Sequence, residues 1–430
     1  MNVTNLLANL GALRPLGGVV LAVVILLAMI TIHEFGHYVA GKILGFKINE
    51  FSIGFGPALF KKRSKKTGEI FALRIIPLGG YCAFDGEDEF EDENKENSDE
   101  ESFEEYKTAG DVSQTSENLE ETPVEKEEYP EPKGERFNDQ APWKRIIVLI
   151  AGALMNYLLA LTLIVIMFAS FGRPVYMVEK QKPIEGASQV AWDVYNSGLQ
   201  TGDVILEING KDLYLVTDYM SVLDDKKKGD TVGVLVIRDG KKQVVDVTLV
   251  QDANPKNMSD IGSVLYPLGL AYREDVTNDE GQTENKLING GGLIPTDVKS
   301  GFFGTIGHSF AYSFKIGGTI LRSLGELLTG KLGINAVGGP ATTIKLTSEF
   351  AASGVQNFLS IAAFIGVNLA VFNLLPVPAL DGCKVIFCII EWIRKKPVNR
   401  KVEAIINFAG LIFLFGFAIL VDILQFARYK

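Results

Sequence analysis

Ile30-Thr31-Ile32-His33-Glu34-Phe35-Gly36-His37 decides the reading of this chain. On a helix, residues four apart share a face, so His33 and His37 can present both imidazoles to one metal ion. Glu34 stands beside them and suits a general base acting on water. The pentapeptide alone recurs by chance, but its setting does not. It follows directly on an uncharged run from Leu16 to Ile32, within an apolar pattern that continues to Leu44, and it holds two of the chain's three histidines. A charge at the centre of a membrane helix costs roughly 2.5–3.5 kcal/mol on insertion scales, so ionisable groups there signal function. His33, His37 and Glu34 therefore predict a Zn²⁺ site inside a membrane helix.

Working outward, Ile146–Phe171, Val355–Leu380 and Ile405–Val421 are also uncharged. A spanning helix needs about 20 apolar residues. Together with the first run, these predict a polytopic α-helical membrane protein with four transmembrane helices. The first run is too long for a signal peptide, and no small-residue cleavage site follows it. Residues 302–330 are apolar-rich as well, but Phe303, Ile306, Phe310, Phe314, Leu321 and Leu328 form one stripe, with Lys315, Arg322 and Glu326 off it. This is the pattern of an amphipathic helix on a bilayer surface. Basic residues set the direction. Lys61, Lys62, Arg63, Lys65 and Lys66 follow the first helix, and Arg394, Lys395, Lys396, Arg400 and Lys401 precede the fourth. Both loops are expected in the cytoplasm of a multi-pass cell-membrane protein, leaving the N-terminus, the C-terminus and the long 172–354 stretch extracytoplasmic.

The chain divides accordingly. Residues 1–44 carry the first membrane helix, and 45–84 read as short strands broken by glycine, a membrane-associated β region. The formal charge of −10 is concentrated: Asp85 to Glu135 hold 22 acidic residues against 4 lysines, a segment charge of −18, so the rest is +8. Residues 85–140 are too acidic and too poor in aliphatic residues to bury a core, and read as a disordered cytoplasmic loop. Residues 141–171 form the second membrane helix. In 172–275, Gly198-Leu-Gln-Thr-Gly-Asp-Val-Ile-Leu-Glu-Ile-Asn-Gly210 gives a turn, an alternating strand and an Asn-Gly turn, followed by a hairpin about Asp239-Gly240. Residues 276–354 complete the segment as a linker and the amphipathic helix. The third membrane helix covers 355–382, and 383–430 supply a cytoplasmic loop and the fourth. Three cysteines without CxxC spacing form neither a disulfide framework nor a zinc ribbon. No feature points to nucleic acid.

Zinc in a hydrolase takes three protein ligands and leaves a fourth position open. Asp381 is the charged residue that closes another membrane run, in Asn373-Leu-Leu-Pro-Val-Pro-Ala-Leu-Asp-Gly382. His33 lies about 25 Å into its helix at 1.5 Å per residue. With four spans, Asp381 ends a helix entering from outside, so both reach the cytoplasmic half. Two carboxylates and two neutral imidazoles would also cancel the charge of Zn²⁺, lowering the cost of burial. Pro376 and Pro378 interrupt the run, which a bilayer tolerates where backbone lines a cavity.

HEFGH in the first helix and NLLPVPALDG in the third resemble the site-2 protease family of intramembrane zinc metalloproteases. Residues 172–275 resemble a PDZ domain, as in the bacterial branch that regulates sigma factors. Phe51–Pro57, Arg74–Tyr81, Ala151–Tyr157 and Gly338–Pro340 are similar to shorter strings of that branch. The resemblance implies His33, His37 and Asp381 as zinc ligands, Glu34 as general base, and Asn373 as a group engaging substrate near the scissile bond. It implies that the Gly54/Gly56 strands hold substrate extended. The expected activity is regulated intramembrane proteolysis of single-helix membrane proteins, such as anti-sigma factors or signal-peptide remnants, after external trimming. Peptide or protein termini are expected at the PDZ domain. Competing readings are a zinc protease acting on peptides outside the bilayer, a zinc-dependent transporter and a PDZ membrane scaffold. A transporter needs polar groups on several helices, and a scaffold has no use for Glu34.

Overall fold

The computed structural model describes residues 3–87 and 129–428, apart from 181, 183–188, 190–191, 193–194, 197, 225, 251, 254–267, 271, 278–282, 289–290 and 334–336. The chain forms two compact units, Met1–Leu159 with Leu332–Lys430, and Ala160–Lys331. Among the described residues four helices are long and apolar enough to cross a membrane: Gly17–Leu44, Pro142–Ser170, Val355–Asn373 and Arg400–Ala427. Phe302–Leu328 is not one of them.

In the first unit, α1 (Val3–Leu44) runs into β1 (Ile48–Arg63) and β2 (Ile70–Phe84). These long strands fold back on one another. Phe51–Ile53 are flanked on one side by Phe71–Leu73 and on the other by Gly80–Cys82, while Phe60–Arg63 pair with Ile70–Leu73 again. The bend falls at Gly54 and Gly56, both at positive φ. A side chain at Gly54 would strike the Ile76 carbonyl at 2.7 Å, so the fold-back needs glycine there. Buried Glu69 ties the sheet to α1, accepting from Tyr38 Oη and Lys42 Nζ. Phe46, Phe84 and Phe137 close a small core with centroids 5.4–5.6 Å apart.

The acidic stretch expected over 85–140 is structured at both ends. Glu135 bonds the backbone of Gly45 and Lys47, Phe137 N donates to Asp85 O, and Phe137–Asp139 form a 3₁₀ turn. The aromatic Phe137 supplies the buried surface that the acidic residues lack. The expectation of disorder otherwise falls on 88–128, outside the described residues.

The membrane helix α2 (Pro142–Ser170) follows, and the remainder of this unit is helical: α5 (Pro340–Ala352), α6 (Val355–Asn373), α7 (Asp381–Arg394) and α8 (Arg400–Arg428). Two boundaries differ from expectation. The helix α5 occupies part of the supposed linker and packs on α1, where a Cβ on Gly18 would lie 2.4 Å from Ser348 Oγ. Its N-terminus is held by Asp422 of α8, whose carboxylate accepts from Ala341 N. The third span ends at Asn373, and Asp381 opens a new helix instead of closing the old one. Pro376 and Pro378 cannot continue the hydrogen-bond ladder, and Ala379 takes a φ of 76°. The least buried of the four apolar helices is α8.

The second unit is built on a sheet of order β10-β3-β4-β6-β7, with β5 paired to β4. The strands are β3 (Arg173–Lys180), β4 (Val204–Ile208), β5 (Lys211–Asp212), β6 (Thr231–Arg238), β7 (Lys241–Thr248) and β10 (Gly291–Val298), with β8 (Tyr272–Thr277) and β9 (Thr283–Ile288) as a separate hairpin. Because β10 pairs with β3 along its length, the domain does not stop at residue 275. Gly291-Gly-Leu-Ile-Pro-Thr-Asp-Val298 lacks an alternating pattern, so its strand depends on the partner. Alternate residues Val232, Val234 and Val236 of β6 enter a core with Ile205 and Ile208 of β4 and with Leu199, Tyr219, Leu223 and Val247. The helix α3 (Val216–Leu223) covers it.

Polar contacts fix α4 (Phe302–Leu328) to this sheet. His308 Nδ1 lies 2.7 Å from Tyr214 Oη, and Lys315 Nζ lies 2.7 Å from Asp218 Oδ1. Burial and the neighbouring Arg173 hold the His308 imidazole below its ordinary pKa. Thr305, Ser309 and Ser313 are buried, while Phe302, Phe303, Phe314, Leu321 and Leu328 are exposed. The apolar stripe therefore faces away from the unit's own core.

The Asp203 side chain, fully buried, receives two 2.7 Å bonds from Arg238. Asp203→Ala is expected to destabilise this unit by about 3 kcal/mol, the cost of breaking a buried pair. Hydrogen exchange of the β4 and β6 amides in the full-length protein measures it.

Candidate metal centre

The centre forms where α1 crosses α2. At Gly36 a Cβ would lie 2.4 Å from the Ala151 carbonyl, and at Gly152 a Cβ would lie 2.4 Å from His37 Nε2 and 2.7 Å from His33 Cε1. Both helices thus need glycine at the crossing. The bare backbone of α2 forms one wall of the site, against which the imidazoles of α1 rest.

His33 and His37 are at most 9% exposed, with rings nearly perpendicular and centroids 4.7 Å apart. His37 Nδ1 bonds the Val148 carbonyl at 2.8 Å. The tautomer that donates there leaves Nε2 free to ligate, the usual outer-sphere arrangement of a metal-bound histidine. The two Nε2 atoms are 3.2 Å apart. Asp381 Oδ2 lies 3.0 Å from His33 Nε2 and 3.4 Å from His37 Nε2. One donor atom from each of His33, His37 and Asp381 falls within 4.8 Å of the others.

Asp381 reaches this point because α7 begins on it. The turn is closed by Gly382, where a Cβ would meet the Leu374 and Leu375 backbone at 2.3–2.5 Å. It is braced by α8: Asn407 Oδ1 accepts from Ala379 N, and a Cβ on Gly410 would lie 2.3 Å from Pro378. A two-nitrogen, one-oxygen set converging on one point, with an outer hydrogen bond in place, fits Zn²⁺ with an open fourth position. Glu34 follows His33 directly. Its carboxyl stem approaches Gly80, where a Cβ would lie 3.2 Å from Glu34 Cγ. The outer run Gly80–Cys82 of the sheet thus passes alongside the centre.

Of the residues singled out in the sequence, the structure brings together His33, His37 and Asp381, with Glu34 adjoining. Asn373 is the last residue of α6, and Gly54 and Gly56 lie at the bend of β1; none of these three is among the converging donors. Sequence reasoning assigned no role to Val148, nor to Gly152 and Gly80 individually, although these two lie in the strings Ala151–Tyr157 and Arg74–Tyr81. Val148 acts through its backbone and the glycines through a missing side chain, which leaves no pattern to read.

A membrane protein with a His/His/Asp centre beside a carboxylate belongs with the zinc metalloproteases. The model of peptidase family M50 matches residues 21–417, and the chain belongs to that family. It is 27% identical to the zinc metalloprotease RasP of Bacillus licheniformis, over 90% of this chain and 93% of that protein. It is also 27% identical to the regulator of sigma-W protease RasP of Bacillus subtilis, over 92% and 95%. The zinc metalloprotease RasP of Geobacillus kaustophilus is 25% identical, over 93% and 96%. The protein is a zinc metalloprotease.

Gly152→Ala drives a methyl group into the His37 imidazole. The expected result is at least about a tenfold loss of zinc affinity, the scale of disturbing the groups that orient metal ligands. Metal analysis after equilibration against zinc buffers checks it.

Proposed function

We propose that the protein is an intramembrane endopeptidase that cleaves the transmembrane segments of single-helix membrane proteins. His33, His37 and Asp381 hold the zinc, and Glu34 is the general base. The observation that carries this reading is the convergence of Asp381 with His33 and His37, the two histidines lying on a helix that is apolar over a spanning length. Bound zinc supplies Lewis-acid polarisation of the scissile carbonyl and lowers the pKa of water. Glu34 takes a proton from the attacking water and returns it to the leaving amine. The flanking sheet and helices exclude bulk water.

A peptide bond within a helix is shielded by its i→i+4 ladder. Substrate must unwind, and its freed backbone groups need partners at that depth. The outer run Gly80–Cys82, beside Glu34, supports strand addition as the means, with Gly54 and Gly56 setting the bend that brings the run there. Asn373 would engage the substrate backbone near the scissile bond.

Residues 172–275, extended by β10 and α4, act as a PDZ-type module outside the membrane, gating substrates by size and binding peptide termini. The antiparallel sheet with its short helix and the Gly198–Gly210 turn support this, and the exposed aromatic stripe of α4 supports contact with the bilayer surface. In this reading both termini also lie outside. Because a relative regulates sigma-W, the substrate class we favour is anti-sigma factors, or signal-peptide remnants, already trimmed outside the cell.

Glu34→Gln is expected to retain zinc and lose 10²–10⁴-fold in cleavage of a membrane-embedded model peptide. Asp381→Ala is expected to lose zinc and activity together. Robust cleavage by Glu34→Gln removes its role, and full zinc occupancy in Asp381→Ala points to another third ligand. A helix-breaking residue in the substrate segment should speed cleavage, and a poly-leucine segment should resist it, both read by product formation in proteoliposomes.

A further inference from the structure

His37 has an outer hydrogen bond to the Val148 carbonyl; His33 has no counterpart. His33 Nδ1 is buried without a hydrogen-bond partner among the described residues. Asn156 of α2 is 0% exposed, and neither its Oδ1 nor its Nδ2 has a partner there. Each such orphan costs about 1–3 kcal/mol, so two of them in one place call for an explanation.

The register of α1 on α2 puts them in one place. His37 meets Val148, Gly36 meets Ala151, and the His33 ring lies against Gly152. Asn156 is one turn beyond Gly152 on the same face, about 6 Å along the axis. Its Cβ tilts toward the N-terminus of α2, so its side chain covers the preceding turn, over Gly152. The absent side chain at Gly152 leaves that approach open. The His33 side chain in turn leans toward the N-terminus of α1, the end that antiparallel α2 meets at Asn156. Asn156 Oδ1 is the unpartnered buried side-chain acceptor of α2 among the described residues.

We infer that Asn156 is a positioning residue for the metal centre: its side-chain oxygen accepts the Nδ1 proton of His33, fixing the tautomer that gives Nε2 to zinc. This rests on the reading of His33 as a ligand. Metal-bound histidines nearly always donate their second ring N–H to such an acceptor, and losing it weakens metal binding by 10–100-fold. The two ligands of α1 are then oriented from one helix by different means, His37 by a main-chain carbonyl and His33 by an amide side chain.

The test measures Zn²⁺ affinity by competition with a chromogenic chelator, and the melting temperature of the metal-free protein, in full-length wild type, Asn156→Leu, Asn156→Asp and His33→Ala. Asn156→Leu should bind Zn²⁺ 10–100-fold more weakly, and a cooperative melting transition of its metal-free form shows that the variant is folded. Asn156→Asp keeps an acceptor and should restore affinity. Unchanged affinity in a folded Asn156→Leu, or a loss that Asn156→Asp does not restore, overturns the inference. Wild-type affinity in His33→Ala instead overturns the ligand reading beneath it.

Discussion

The close approach of the first two membrane helices governs the rest of the site. At Gly36 and Gly152 neither helix carries a side chain, and the backbones come within a distance that a single methyl group would prevent. This contact presses both imidazoles against a helix surface and brings the Val148 carbonyl to one of them. In lipid, small residues at helix crossings are a general means of gaining dispersion contact. Here the same economy of side chains also orients the two imidazoles.

The second constraint is the burial of charge. His33, Glu34 and Asp381 sit among apolar residues, and a carboxylate there is tolerated only beside compensating charge. The interrupted backbone from Leu374 to Leu380 serves that end. It frees Asp381 from the straight path of α6 and lets α7 start with a carboxylate beside His33 and His37. The break is stabilised by packing: Gly382 admits the Leu374–Leu375 backbone, and Gly410 admits Pro378.

The membrane helices and the two histidines were legible because their signals are chemical contrasts: long uncharged runs, and rare ionisable groups inside them. Asp381 was legible for the same reason, although its place at a helix start was not, since one apolar run continues through the prolines to Leu380. Features made by tertiary contact were hidden. Pro340–Ala352 is rich in Thr and Ser and reads as a linker, yet it forms a helix because α1 packs against it and Asp422 caps it. Strand β10 has no period of its own and forms by pairing with β3. The ordered ends of the acidic stretch owe their places to Phe137 and to main-chain bonds of Glu135. Gly54 and Gly56 were marked as substrate-holding positions; their visible duty is the bend in β1, while the run beside Glu34 belongs to β2.

The loop that delivers Asp381 leans on α8, the helix with the least protein around it. Asn407 and Gly410 are its supports, and both belong to the least buried of the four apolar helices. The third donor is thereby suspended from the part of the molecule most sensitive to the surrounding solvent. In the proposed intramembrane setting, lateral pressure, acyl-chain length and the choice of detergent would act on α8 first, and through it on how tightly the metal is gripped. Metal retention during purification then becomes a gauge of how faithfully the extraction medium imitates a bilayer.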